Sequence, residues 1–326
     1  MKKFILSAAI LATLASCNYN NTIATNYEAI QFGNAFVDNN VRAAVDPSYG
    51  THKPLTSITV YGAVEGVNIF PGVTVTGTLG GGAWAQEQGS TVQYWIAGAD
   101  YTFDAVAGVE KSAVTTDTAN GTGLPTSIHY EVANQTDMLH KRVTTVGKPD
   151  DNNGLVAFTF THLLSKVKLT VQNETAADAT GYRYTISDIK FTKVYTEGDY
   201  AVPAGTWSNL TTPGTYSIAD NITVTVASAT SEECATEVLL IPGAKVGISF
   251  NVNTEIKSGD TWKTLTVVPK AYEEVVTLAA NSAYNFKVTL KLENEIKFTV
   301  TTNPTWDNGN TNDSDGDDIN DNVPLL

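Results

Sequence analysis

The sequence is short of the residues that most enzymes and most nucleic-acid binders need. It has two cysteines, Cys17 and Cys234, in 326 residues, which allows one intramolecular disulfide at most. Its four histidines, His52, His129, His140 and His162, are dispersed, and none falls in a His-Glu-x-x-His pair. No Gly-x-Ser-x-Gly elbow occurs, and Cys234 has no recognisable nucleophile context. Gly80-Gly81-Gly82 runs into Ala83-Trp84 instead of the Lys-Ser/Thr that a phosphate loop requires. No enzymatic activity is expected. Basic residues are also few, 20 Lys and Arg against 34 Asp and Glu, for a net charge of −14. Such a surface repels nucleic acid and anionic lipid head groups, so no nucleic-acid partner is expected. The five tryptophans, Trp84, Trp95, Trp207, Trp262 and Trp306, are widely separated. That spacing suits core or edge packing better than a shared glycan platform.

The one long apolar run stands at the N-terminus. Met1-Lys2-Lys3 is followed by an apolar stretch from Phe4 to Leu14 and then Ala15-Ser16-Cys17. The stretch is too short to span a bilayer as a mature helix and has the form of a secretory signal over residues 1–16. Cys17 directly after Leu-Ala-Ser resembles a bacterial lipobox. The resemblance implies an acylated Cys17 as the first mature residue, and so a lipid anchor in the outer membrane. Each buried methylene contributes about 0.8 kcal/mol, so several acyl chains on one residue hold firmly. A lipidated Cys17 leaves Cys234 without a disulfide partner, and stability must then come from core burial. Loss of Lys2 and Lys3 leaves 18 basic against 34 acidic residues, a net charge of −16.

Residues 17–28 are polar and turn-rich and are expected to form a tether. Beyond them, strand patterns recur. Tyr284, Phe286, Val288, Leu290 and Leu292 alternate with Asn285, Lys287, Thr289 and Lys291. This period of two places the apolar set on one face of a half-buried strand. Shorter runs lie at 58–61, 158–160, 167–171, 182–186, 222–226 and 296–300, rich in Thr, Val and Tyr. Clusters such as 148–154 and 211–214 supply turns, and no amphipathic helix pattern of useful length intervenes. An all-β chain of antiparallel sandwiches is predicted, divided at the polar 148–154 stretch. The expected domains are 29–152 and 153–306, followed by an acidic tail at 307–326.

Several blocks in order resemble the fimbrillin family of Gram-negative surface lipoproteins, the type V pilus subunits and their relatives. They are Ile30-Gln31-Phe32 with Val41-Arg42-Ala43, Ile58-Thr59-Val60-Tyr61-Gly62, Tyr94-Trp95, Tyr101-Thr102-Phe103-Asp104-Ala105, and Thr136-Asp137-Met138-Leu139. The most distinctive is Phe158-Thr159-Phe160-Thr161-His162-Leu163-Leu164-Ser165-Lys166-Val167. Leu239-Leu240-Ile241-Pro242, Asn281-Ser282-Ala283-Tyr284 and Trp306 complete the set. The resemblance implies two tandem transthyretin-like antiparallel β-sandwich domains. It also implies a structural or adhesive role in a cell-surface fimbria, with other fimbrial subunits as partners.

In polymerising members of that family, an arginine-specific protease cuts near the N-terminus. The first strand leaves, and a strand of the next subunit fills the groove. Here Ile30, Phe32 and Phe36 share strand parity, and Arg42-Ala43 follows the polar Asp38-Asn39-Asn40. Arg42 is thus either the processing site or an ordinary surface arginine. An uncut chain would stay tethered, as an anchor, an adhesin or a binding module for a host or glycan ligand. The C-terminal run makes a poor donor strand. Asp313, Asp315, Asp317 and Asp321 in it have the 1-3-5-9 spacing of a calcium loop. Pro324 stands where a final carboxylate is expected, so a solvated acidic tail is the competing reading. No other cofactor is expected.

Overall fold

A computed structural model describes residues 28–37, 55–77, 83–151, 154–173, 181–218, 221–224, 232–233, 237–290, 295–303 and 323–324. The strands run β1 (Phe32–Val37), β2 (Ser57–Val64), β3 (Val67–Thr76), β4 (Ala85–Gln86), β5 (Asp100–Ala107) and β6 (Val114–Thr116). Next come β7 (Pro125–Glu131), β8 (Leu139–Val146), β9 (Val156–His162), β10 (Ser165–Asn173) and β11 (Tyr182–Val194). They continue as β12 (Glu197–Ala201), β13 (Thr206–Ser208), β14 (Gly214–Ser217), β15 (Ile222–Val224), β16 (Glu232–Glu233) and β17 (Val238–Leu240). The last are β18 (Lys245–Ser258), β19 (Thr261–Thr277), β20 (Ala283–Leu290), β21 (Glu295–Asn303) and β22 (Val323–Pro324). The described regular structure is strand, with two short 3₁₀ turns.

A seven-stranded sheet has the order β1-β9-β8-β5-β2-β3-β4. Its apolar face gathers Phe32, Phe70, Phe103, Phe158, Trp84, Trp95 and Tyr101 into one core. Phe32 lies edge-on to Phe70 at 5.2 Å and to Phe103 at 6.0 Å, and stacks with Phe158 at 6.1 Å. Gly62 is required there, because a Cβ would fall 2.8 Å from Phe70 and 2.9 Å from Phe103. Glu65 and Gly66, both at positive φ, form the two-residue loop between β2 and β3. That backbone matches the strand twist.

The second half stacks two sheets. One has the order β16-β10-β20-β21-β22, with β17 also on β10; the other is β14-β11-β18-β19, with β15 also on β11. They meet through Phe191 on Phe286 at 5.3 Å and Tyr272 stacked on Phe298 at 4.1 Å. The alternation expected in β20 is present, with Tyr284, Phe286, Val288 and Leu290 all buried. A four-stranded sheet, β13-β12-β7-β6, draws on both halves of the sequence, and its Ile128 and Tyr130 join the second core.

Three expectations need amendment. Pairing is not uniformly antiparallel, since β1–β9 and β10–β20 are parallel. Parallel partners need a long crossover, and in both cases many strands intervene along the chain. The division expected at 152/153 does not follow the sheets, because β9 pairs with β1 and β8 and the sheet boundary falls after His162. A polar turn marks a place where the chain reverses, and here it reverses within one sheet. Finally, the expected tail returns at β22 to pair with Glu295 and Ile296 of β21.

Candidate functional site

The most distinctive site in the fold is the seam filled by β1. On one side it pairs in parallel with β9, Phe32 level with Val156 and Val37 level with Phe160. Val156 N–H donates to the Gln31 carbonyl at 2.9 Å. On the other side, Trp84 N–H donates to the Phe32 carbonyl at 3.0 Å and Ile30 N–H to the Gln93 carbonyl at 2.8 Å. Trp95 N–H reaches Glu28 at 3.0 Å, and the Gln86 side-chain amide reaches the Ile30 carbonyl at 3.3 Å. Trp84 adjoins β4, the far end of the sheet order. β1 therefore bridges both ends of one sheet and closes it on itself.

Burial holds this strand as firmly as the ladder does. Ile30 and Phe32 are 1% and 0% exposed, and each contributes roughly 1.5–3 kcal/mol by leaving water. Glu28 forms an ion pair with Lys148 at the entry to the seam. The common parity expected of Ile30, Phe32 and Phe36 is interrupted. The register shifts between Phe32 and Ala35, so the backbone of Phe36 stands level with Thr159.

Beyond the seam, a buried charge cluster joins β5 to β8. Asp104, wholly buried, accepts from Arg142 Nη2 at 2.7 Å and Nε at 2.9 Å, and lies 2.8 Å from His140 Nε2. His162, expected to be structural, is buried with Nδ1 2.9 Å from Asp137, which ties β9 to the segment before β8. Burial pushes the Tyr61 hydroxyl up to about 12. It raises Tyr101 as well, partly offset by a hydrogen bond from the Ile96 backbone amide.

Among the residues singled out from sequence, Cys17, Arg42, Ala43, Asp313, Asp315, Asp317 and Asp321 lie outside the described residues, as do His52 and Trp306. Trp84 and Trp95 are buried in the first core. Trp207 donates to the Leu163 carbonyl at 3.2 Å, and Trp262 lies under the Arg183 guanidinium. The described tryptophans are engaged in packing and form no common platform. The bridging by Trp84 and the parallel register of β1 carry no periodic signal, so sequence patterning missed both. Gln135 was missed too. Its amide both donates to and accepts from the Leu239 backbone, at 3.1 and 2.9 Å, standing in for a strand neighbour across the two halves.

The described residues define an all-β protein of several stacked sheets. The fimbrillin-like family model matches residues 51–306, and the chain belongs to that family. A fimbrial protein of Bacteroides vulgatus has a similar structure, with a TM-score of 0.59 at 15% identity, covering 86% of this chain and all of its own. A protein assigned to cell adhesion in Bacteroides uniformis gives 0.53 at 15% identity, covering 86% of this chain and 98% of its own. No curated protein matches in sequence. The family is one of fimbrillin-like proteins, which places the chain with fimbriae of the cell surface.

Proposed function

We propose that this chain is a fimbrial subunit built as two tandem transthyretin-like sandwiches and assembled by strand exchange at the β1 seam. The observation that carries the reading is the double role of β1. It pairs with β9 on one side and bridges to Trp84 on the other, yet it joins β2 only through residues 38–56. A cut after Arg42 would free the strand from the body of the protein. The vacated seam would expose a row of N–H and C=O groups above an apolar trough floored by Phe70, Phe103 and Phe158. A strand from the next subunit restores both the ladder and the burial. The same cut separates the subunit from a lipidated Cys17 and so from the outer membrane. Without it the protein remains a tethered anchor or adhesin.

Treatment of the Cys17→Ser chain with an arginine-specific protease, followed on a native gel, tests the reading. A ladder of stable multimers after cleavage at Arg42 is the expected result. A cleanly cut chain that stays monomeric would overturn polymerisation through this seam.

A further inference from the structure

On the four-stranded sheet, β7 and β12 run antiparallel with His129 opposite Asp199 and Glu131 opposite Glu197. The alternate residues of β7, Ile128 and Tyr130, are wholly buried, so His129 and Glu131 share the outward face. Glu197 and Asp199 occupy the matching positions of β12 and project onto the same face. The support beneath them is rigid. Trp207 packs on Tyr130 at 6.5 Å and on Tyr200 at 5.8 Å, and a Cβ at Gly198 would fall 2.7 Å from Leu210. The Thr211 hydroxyl receives the backbone N–H of Thr196 at 3.0 Å and of Glu197 at 3.3 Å. The ladder continues past β7, with Val132 N–H donating to Thr196 at 2.8 Å.

Two features of this face suit a cation. Glu131 and Glu197 are like charges directly across a ladder, an arrangement that destabilises a sheet. His129 is held by Asp199, whose Oδ1 lies 2.8 Å from Nδ1, while Oδ2 accepts from Asn209 at 2.8 Å. Nδ1 faces that carboxylate and Nε2 faces Glu131, 3.8 Å from Oε1; in the tautomer that donates Nδ1–H to Asp199, Nε2 presents its lone pair. A metal ion between Nε2 and Glu131 turns both into ligands. A histidine whose second nitrogen is oriented by a carboxylate is the arrangement that fixes metal-binding imidazoles.

We infer that His129, Glu131 and Glu197 form a surface site for a divalent transition metal, zinc being the best match, with Asp199 as the positioning residue behind the histidine. One ligand atom from each of the three lies within 4.8 Å of the others. Zinc bound at about 2.0–2.1 Å to nitrogen and oxygen needs its ligands closer, roughly 3.3 Å apart in a tetrahedron. The two glutamates are exposed and can close that gap by rotation about their side-chain bonds. Three protein ligands leave the remaining coordination position open to solvent. One nitrogen and two carboxylates favour zinc over calcium or magnesium, which prefer all-oxygen shells.

Zinc titration of the full soluble chain by calorimetry tests this, with cobalt(II) absorption as an independent view of the ligands. The expected result is one equivalent bound, with a cobalt spectrum lacking a thiolate charge-transfer band. His129→Ala should abolish that binding. Glu131→Gln combined with Glu197→Gln should weaken it at least tenfold, and Asp199→Asn roughly tenfold to hundredfold. All four side chains lie on the surface, and metal-free melting temperatures of the variants check that each still folds. Unchanged stoichiometry and affinity in His129→Ala would put the metal elsewhere, on the C-terminal aspartates or the cysteines, and overturn the inference. Absence of zinc binding by the unmodified chain would overturn it as well.

Discussion

The two aromatic cores of this chain are closed in different ways. Around Phe32, Phe70 and Phe103 the last gap is filled by β1, which is joined to the other strands of its sheet only on its C-terminal side, through residues 38–56. Around Phe191, Phe286 and Phe298 the neighbours are β10, β11, β18 and β20, each held at both ends by further strands. The long β18–β19 hairpin there pairs from Ser258–Thr261 at its tip down to Lys245–Thr277. Both cores bury large aromatic side chains, so packing alone does not distinguish them. Connectivity does. A strand tethered at one end can be released by a single break in the chain, whereas a strand tethered at both ends cannot.

The sharpest way to break the comparison is to excavate each core in turn. Phe32→Ala and Phe286→Ala each remove a wholly buried ring and should each cost about 3–5 kcal/mol. Hydrogen exchange should separate them. Phe32→Ala deprotects β1, β9 and the Trp84 bridge while β20 stays protected, and Phe286→Ala does the reverse. Matching exchange patterns in the two variants would mean that the cores do not behave as separate units.

A smaller effect is expected at the charge cluster behind the first sheet. Asp104→Ala strands His140 and Arg142 beside a buried site, and should cost about 3 kcal/mol in urea unfolding. A loss under about 1 kcal/mol would show that water reaches those groups.

Tyr61 sharpens the comparison from the boundary between the halves. It belongs to β2 of the first sheet, yet it packs in the second core, and its buried hydroxyl has no partner among the described residues. Its folded-state pKa of about 12 lies above the ordinary 10.0. The folded protein therefore holds that proton longer than the unfolded chain does. Stability is full below pH 10 and falls as pH rises toward 12, by on the order of 2 kcal/mol. Tyr61→Phe should remove this part of the alkaline loss. At neutral pH it should stabilise by about 1 kcal/mol, since no hydrogen bond is given up. The smallest effect is expected at Val267 on the edge strand β19, 55% exposed, where Val267→Thr should stay within about 0.5 kcal/mol.

The sequence made the strands legible wherever one face of a strand is buried. The alternation of β20 is visible in Tyr284, Phe286 and Val288 because the outward Asn285 and Lys287 meet solvent. The order of the sheets was not legible. Pairing of β1 with β9 is a contact between distant segments, and no local period encodes it. The polar 148–154 stretch looked like a domain break because a reversal within a sheet and a linker between domains use the same turn residues. The processing site expected at Arg42 and the lipidation expected at Cys17 rest on resemblance alone, and both residues lie outside the described residues. The His129 cluster escaped sequence reading for another reason. Its two halves sit on β7 and β12, and only the register across the ladder brings them together.

The distance along the chain between β1 and β9 also has a consequence in time. A strand that must wait for Val156 before it can pair at Phe32 faces a large loop closure, and non-local parallel pairing is slow. As the polypeptide emerges N-terminus first, β1 is the earliest made of the described strands and among the last in its sheet able to dock. Every newly made molecule thus passes through an interval in which the strand is present and its slot is still being built. If subunits exchange strands as proposed, a neighbour's strand would compete with the molecule's own during that interval, and rates and local concentration would set the outcome as well as equilibrium stability.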